Sequence, residues 1–317
     1  MNRNTLLSIR MLSRYGIIIA FAVLCVTLSV LSPYFLTAGN LSNIALQVSV
    51  NGILAIGMTF VILAAGIDLS VGSVLGMAGI VAASMVAGDN VHSPLVAVGA
   101  GVATGAVLGL VNGSIIAWAR VPAFVVTLGM LSAARGFTQI YNDGMPIPGL
   151  SDAFVFLGSG RLIGVPVPVL IFVTLLMLAW LVLKYTRYGR YVYAVGGNEK
   201  SARTSGVPTR AVIASVYVIC GACAGLASII HTARSTTALV DAGSGYELDA
   251  IAAVVIGGTS LTGGVGGVFG SLIGVLIIGV INNGLDLLGV ESYYQQVIKG
   301  AVIVLAVLID VVSRKEN

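Results

Sequence analysis

Polar residues along this chain gather into short intervals between long apolar stretches, and the apolar stretches have the length of membrane-crossing helices. A span needs roughly 20 consecutive, mostly apolar residues. By that measure the candidates cover residues 15–32, 44–65, 70–87, 94–118, 123–140, 167–184, 211–230, 249–263, 268–285 and 295–312. The pattern predicts an all-α polytopic membrane protein of about ten transmembrane helices, organised as one domain over residues 1–317. The segment 249–263 is short and broken by Gly257 and Gly258, so it reads as a full span, a half-helix or a re-entrant turn.

Lys and Arg set the orientation. With the N-terminus cytoplasmic and ten crossings, the inner segments hold Arg3, Arg10, Arg14, Arg120, Lys184, Arg187, Arg190, Lys200, Arg203, Arg210, Arg314 and Lys315. The outer loops hold only Arg161 and Arg234, while Arg135 and Lys299 fall within spans. An odd number of crossings would place Arg314 and Lys315 outside, so both termini are predicted to be cytoplasmic. Residues 1–14 and 311–317 are then cytoplasmic tails, and residues 184–210 form a cytoplasmic loop. Trp180, Tyr185, Tyr188 and Tyr191 cluster where the sixth span leaves the membrane, a level that amphipathic rings favour. The first apolar run follows Arg3, Arg10 and Arg14 as a signal sequence would, but no small-x-small cleavage site follows it, and it reads as a retained helix.

Composition narrows the class further. The chain is 57% hydrophobic and 9% charged, with a mean hydropathy of +1.04. A soluble domain carries about 25% charged residues. Forty-one glycines fit close helix approach in a bilayer and would weaken helices in water. No dense basic stretch with interleaved aromatics is present, so nucleic acid is not an expected partner. Cys25, Cys220 and Cys223 lie in apolar segments and read as packing residues; His92 and His231 are isolated, and no metal-ligand spacing exists.

A weak internal repeat joins GIDLSVGSVLG (66–76) to GTSLTGGVGGVFG (258–270). Each copy links an apolar run entering from outside to one returning, so the two copies read as parallel. Paired glycine-broken membrane segments point to a transport pathway.

Several polar residues stand within these apolar runs. Asp68 is the only acid between Met1 and Gly88. It reads either as a helix cap or turn residue, with Ser70 assisting, or as a contact for solute or a gating partner. Arg135, deep in the fifth span, reads as a structural ion pair, a carbonyl cap or a solute contact, with Thr127, Thr138, Gln139 and Asn142 near it in sequence. Asn51, Asn112, Asn282 and Asn283 either bond between helices or line a path for hydroxyl-bearing solutes. The candidate pathway and gate residues are therefore Asn51, Asp68, Ser70, Arg135, Gln139 and Asn282.

The loop 184–210 contains AVGGNEKSARTSGVP (194–208). Asn198 suits an N-cap, Glu199 the first turn, and Gly206 the C′ position, and Pro208 stops continuation. A helix of about two turns results, with Ala202 and Ser205 as small residues on it. Physics alone leaves two readings open: a helix shaped to dock into a partner, or a surface helix that closes a loop and attracts anionic lipid.

No G-x-x-x-x-G-K-[ST] stretch is present to hold nucleotide phosphates, and no Ser-His-Asp set, HExxH or paired-cysteine box can be assembled. No catalytic or metal site is expected in this chain.

The stretches SVNGILAIGMTFVILAAGIDLSVGS (49–73), GRYVYAVGGNEKSARTSGV (189–207), GYELDAIAAVVIGGTSLTGGVG (245–266) and NNGLDLLGVESYYQQVIKG (282–300) together resemble the permease subunits of ribose-type ABC sugar importers. They occur in order between residues 49 and 300, and the differences lie in the N-terminal tail and the loop 141–165. The resemblance implies a multi-pass protein of the bacterial inner membrane, surrounded by lipid and paired with a second permease copy or paralogue. It implies two cytoplasmic ATPase subunits, or one tandem chain supplying both, which would bind the ATP and Mg. It also implies a periplasmic sugar-binding protein and inward transport of ribose or a related sugar or polyol. On this resemblance Gly196, Gly197, Asn198, Glu199, Ala202, Ser205 and Gly206 would couple to the ATPase, and Tyr246, Glu247 and Asp249 would meet the binding protein. Access would alternate at the axis of the permease dimer, along a weakly polar, uncharged path.

An ion-coupled secondary transporter is the competing reading, and a passive channel or structural subunit a further one. Ion coupling would need deep ionisable groups, for which Arg135, Lys299 and Asp310 are the candidates. The predicted orientation is checked by labelling with an impermeant maleimide. A cysteine at Lys200 should react only from the cytoplasmic side and one at Arg161 only from the other; labelling of Lys200→Cys from outside would overturn it.

Overall fold

A computed structural model describes residues 3–88, 92–291, 293–301, 304 and 308. Twelve helices carry the fold, and residues 293–301 add further helix. They are α1 (Arg3–Leu31), α2 (Ala38–Leu63), α3 (Val71–Ser84), α4 (Pro94–Ser114), α5 (Ala123–Tyr141), α6 (Asp152–Ser159), α7 (Val167–Tyr185), α8 (Arg187–Gly197), α9 (Glu199–Thr204), α10 (Thr209–Ser235), α11 (Tyr246–Ile256) and α12 (Val268–Leu287). A π-helical turn, Ile115–Ala119, extends α4. Most of the expected tail 1–14 continues α1, whereas the tail 311–317 lies outside the described residues.

Among the described residues, six helices are apolar and long enough to cross a bilayer: α2, α4 with its π turn, α5, α7, α10 and α12. Of the readings open for segment 249–263, the half-helix is the one observed. Its helix, α11, stops at Gly257 after 11 residues, and α3 has only 14. At about 1.5 Å per residue these are half-helices in a hydrocarbon layer roughly 30 Å thick.

The core is built around α2, where every residue from Val48 to Leu63 is buried. A helix apolar on all sides belongs inside a bundle, and α10, α12, α7 and α11 pack around it. Thr59 and Ser271 share a hydroxyl contact of 2.8 Å between α2 and α12. Asn40, in the first turn of α2, and Asn283, near the end of α12, exchange amide bonds of 2.9 and 2.7 Å, so Asn283 joins helices. By contrast α5 and α7 leave apolar rows exposed, as segments facing lipid do.

The closest helix pair is α4 with α10. Gly101, Gly105, Gly109 and Gly113 recur every four residues and form one face of α4. Their backbones lie on Gly225, Gly221, Tyr217 and Ala214 of α10. Without a hydrophobic driving force in lipid, such backbone contact supplies the association.

The expected repeat becomes two helix–loop–helix units, α2–α3 and α11–α12. The order of lengths is swapped between them, long then short and short then long, which a parallel repeat does not predict. Outside the helices, four two-residue strands depart from the all-α expectation. Ile147–Pro148 pairs with Thr237–Ala238, and Arg161–Leu162 with Val165–Pro166.

Gly105→Leu would drive a side chain into the Gly221 carbonyl, whereas the position of Gly129 on α5 is open. Gly105→Leu should destabilise the protein by about 3 kcal/mol and Gly129→Leu by far less. Thermal unfolding in detergent checks this, and equal losses would contradict the packing.

Candidate functional site

Two features converge where the half-helices begin. Gly72, in the first turn of α3, packs on the Gly243 carbonyl and the Glu247 carboxylate, and Gly76 lies on the Ala242 carbonyl. The N-terminal ends of α3 and α11 therefore face one another inside the bundle. Helix N-termini carry partial positive charge, and Glu247 in the first turn of α11 complements it.

Arg135 of α5 holds the chain leading into this point. Its guanidinium donates to the carbonyls of Val240 at 2.8 Å and Ala242 at 3.0 Å, and to Ser244 Oγ at 3.1 Å. Of the three readings left open by sequence, the carbonyl cap is the one observed. Gln139, one turn further out on α5, is exposed and makes no part of this clamp.

Asp68 is buried in the loop between α2 and α3. It does not cap α3, because the cap position belongs to Ser70 and lacks a side-chain bond. Instead Asp68 Oδ1 accepts from Ser70 N at 2.9 Å and Ser70 Oγ at 2.6 Å, closing an Asx turn. Asn112 Nδ2 of α4 donates to Ser70 Oγ at 3.0 Å, leaving Asn112 Oδ1 buried without a partner. The preceding carbonyl, of Ile67, accepts from Tyr217 Oη at 3.4 Å and Thr127 Oγ1 at 3.5 Å.

The remaining candidates are dispersed. Asn51 is buried on α2, and Asn282 is buried on α12 with Oδ1 unpartnered. Asp249 is buried and paired with Lys299 at 3.2 Å. Tyr246 is half-buried against His231, their rings 5.7 Å apart and edge-on. Of the trio expected to meet a binding protein, none is fully exposed. Lys299 lies in the last expected span and Asp249 at the start of the 249–263 segment, and nothing in their 50-residue separation announces the pair.

On the opposite side of the bundle the segment 184–210 forms two short helices. Asn198 caps α9, its Oδ1 accepting from Ser201 N at 2.9 Å, and Gly206 is left-handed at φ 84°, as expected. Glu199 and Arg203 pair along α9, and Ala202 is its one buried residue. The exposed pair contributes about 0.3–0.5 kcal/mol.

What sequence did not reveal is how this segment is fastened. Gly196, near the end of α8, touches the Leu63 carbonyl at the end of α2 and the Gly264 amide of the α11–α12 loop. Those two groups also bond to each other, Gly264 N donating to Leu63 O at 2.9 Å. Tyr188 Oη meets Ser215 Oγ of α10 at 2.7 Å, and Tyr193 donates to the Gly266 carbonyl at 2.9 Å. Burial pushes both phenols above their ordinary range, and for Tyr188 the Ser215 bond partly offsets the rise. A cleft of about 770 Å³ opens beside this junction, from Arg120 and Lys200 at its mouth to Gly66 and Tyr217. It ends beside the Asp68 turn.

A family model described as the permease component of branched-chain amino acid transport systems matches residues 40–307. The chain is 53% identical over 297 residues to the ribose import permease protein of Escherichia coli (strain K12), covering 92% of each chain. It is 45% identical to the ribose import permease protein of Bacillus subtilis (strain 168), covering 94% of this chain and 93% of that one. Identity to the D-allose transport system permease protein of Escherichia coli (strain K12) is 42%, covering 94% and 91%. No solved structure matches.

Arg135→Met should release the 239–245 loop, because Val240 and Ala242 lose their donor. A cysteine at Ala242, which is buried in the clamped loop, should then react about tenfold faster with a soluble maleimide, a loss of about 1–3 kcal/mol being expected for such carbonyls. An unchanged rate would show that the clamp does not hold the loop.

Proposed function

The chain belongs to the family of branched-chain amino acid transport system permease components, and from that premise we propose that it is the membrane-spanning subunit of an ATP-driven, binding-protein-dependent importer of ribose or a related small sugar or polyol. The observation that carries this reading is similarity along nine-tenths of the chain to ribose import permeases, with the segments 49–73, 189–207, 245–266 and 282–300 all inside the matched region. The chain is a transport subunit. ATP and Mg would bind two cytoplasmic ATPase subunits or a tandem chain supplying both.

In this proposal the protein lies in the bacterial inner membrane, crosses it about ten times with both termini cytoplasmic, and works beside a second permease copy or paralogue. The binding protein would deliver sugar on the outer side, near Tyr246 and Glu247, with Asp249 acting from beneath through Lys299. Arg135 would hold the outer loop in place between turnovers.

The inner segment supports a coupling role by its fastening. A push on α9 moves α8, and α8 is wedged by Gly196 between the end of α2 and the loop before α12. Tilting these two loops would shift both half-helices together, which is the rigid-element motion that alternating access needs. The sugar would follow a path without fixed charge, meeting the amides and hydroxyls of Asn51, Ser70, Asn112 and Asn282.

The ion-coupled alternative is not favoured. Arg135 is committed to backbone carbonyls and Lys299 to Asp249, and Asp310 lies outside the described residues.

Reconstituted vesicles test the proposal. Ribose uptake should require the ATPase, ATP and the binding protein; uptake driven by a proton gradient alone would refute it. Gly196→Val should lower uptake at least about tenfold while the ATPase still co-purifies, because a side chain there overlaps the Leu63 carbonyl. Gly129→Ala, in open space on α5, should leave uptake near the parent value. Full uptake by Gly196→Val would remove the coupling route.

A further inference from the structure

A second cleft, of about 640 Å³, lies between the end of α7, the face of α8 and the start of α12. Trp180, Lys184, Arg190, Tyr193, Gly267 and Phe269 line it. Its two cations are uncompensated: the lining contains no carboxylate, and neither Lys184 nor Arg190 joins a salt bridge among the described residues. The walls are aromatic. Trp180 meets Phe269 edge-on at 5.8 Å and Tyr185 at 5.4 Å, and Lys184 Nζ sits 5.1 Å above the Trp180 ring.

The position of the cleft says what would fill it. Val173, Met177 and Leu181 form an exposed apolar row on α7, and Lys184 follows one turn beyond Leu181 on that row. An acyl chain lying on the row would bring its headgroup to Lys184 and Arg190. The Tyr193 hydroxyl is already spent on the Gly266 carbonyl, which fixes that wall. Gly267 offers α12 no side-chain cap, so its first amides add donors to the cations. Water-soluble protein surfaces would gain little from an aromatic wall continuous with an apolar row. An anionic amphiphile is complementary to both halves.

We propose that this cleft binds the phosphate of an anionic membrane phospholipid in the leaflet on the α8–α9 side. The bound headgroup would bridge α8 and the start of α12, the same two elements that Tyr193 joins. This assignment stands apart from the transport reading, since it rests only on the cleft, its charge and the neighbouring apolar row.

Native mass spectrometry of the full chain in detergent tests it, with phosphatidylglycerol and phosphatidylcholine offered in competition. Phosphatidylglycerol should be retained preferentially, and Lys184→Gln with Arg190→Gln should reduce its retention about tenfold or more. Arg187→Gln with Arg210→Gln removes two exposed cations outside the cleft lining and should leave retention near the parent value. Circular dichroism and elution volume verify folding of each variant; if the cleft double variant misfolds, Arg190→Gln alone replaces it. Four results would overturn the proposal. They are equal retention of both lipids, equal loss in the two double variants, displacement of the lipid by excess inorganic phosphate, and its exclusion when the ATPase partner is bound.

Discussion

A peptide group inside a bilayer has no water to bond, and an unsatisfied one costs several kcal/mol. Every departure from continuous helix in this protein must therefore be answered by another part of the protein. The two half-helices make that demand most strongly, because α3 and α11 each begin or end within the bundle. Their loops are met by side chains from full-length helices. Arg135 of α5 takes the carbonyls of Val240 and Ala242, and Tyr217 of α10 with Thr127 of α5 takes that of Ile67. The loops also meet each other through Gly264 and Leu63.

That requirement explains why polar residues stand where they do. Asp68 tightens the turn ahead of α3, Asn112 steadies Ser70, and Lys299 pairs with Asp249 in the first turn of the second half-helix. Each supports backbone that the bilayer would otherwise forbid. In the proposed transport reading, a solute path would inherit its polarity from groups that primarily hold the loops, and would be polar without free charge.

Coupling follows from the same economy of contacts. Because the α2–α3 and α11–α12 loops touch each other, one small wedge reaches both. Gly196 is that wedge, and the absence of a side chain lets α8 approach the Leu63 carbonyl and the Gly264 amide together. The α9 helix projects from this point with its own cap, so in the proposed coupling a force applied to it would act on both units. On the flank, the proposed lipid site at Lys184 and Arg190 adjoins the same elements, at the start of α12 and the face of α8.

Sequence alone determined the class of the protein and much of its surface-side architecture. Apolar run length and the placement of Lys and Arg depend only on local composition, and so do the cap at Asn198 and the stop at Gly206 and Pro208, which both appear in α9. The residues of the named segments also carried the family resemblance. Tertiary structure alone decided that 249–263 ends as a half-helix, because an apolar run has the same composition whether it crosses the bilayer or turns back at Gly257. It alone assigned Arg135 to carbonyls, paired Asp249 with Lys299, and set Gly196 at the junction of two loops. Those outcomes depend on which backbones come together across 50 to more than 100 residues, and no local pattern of side chains encodes that proximity.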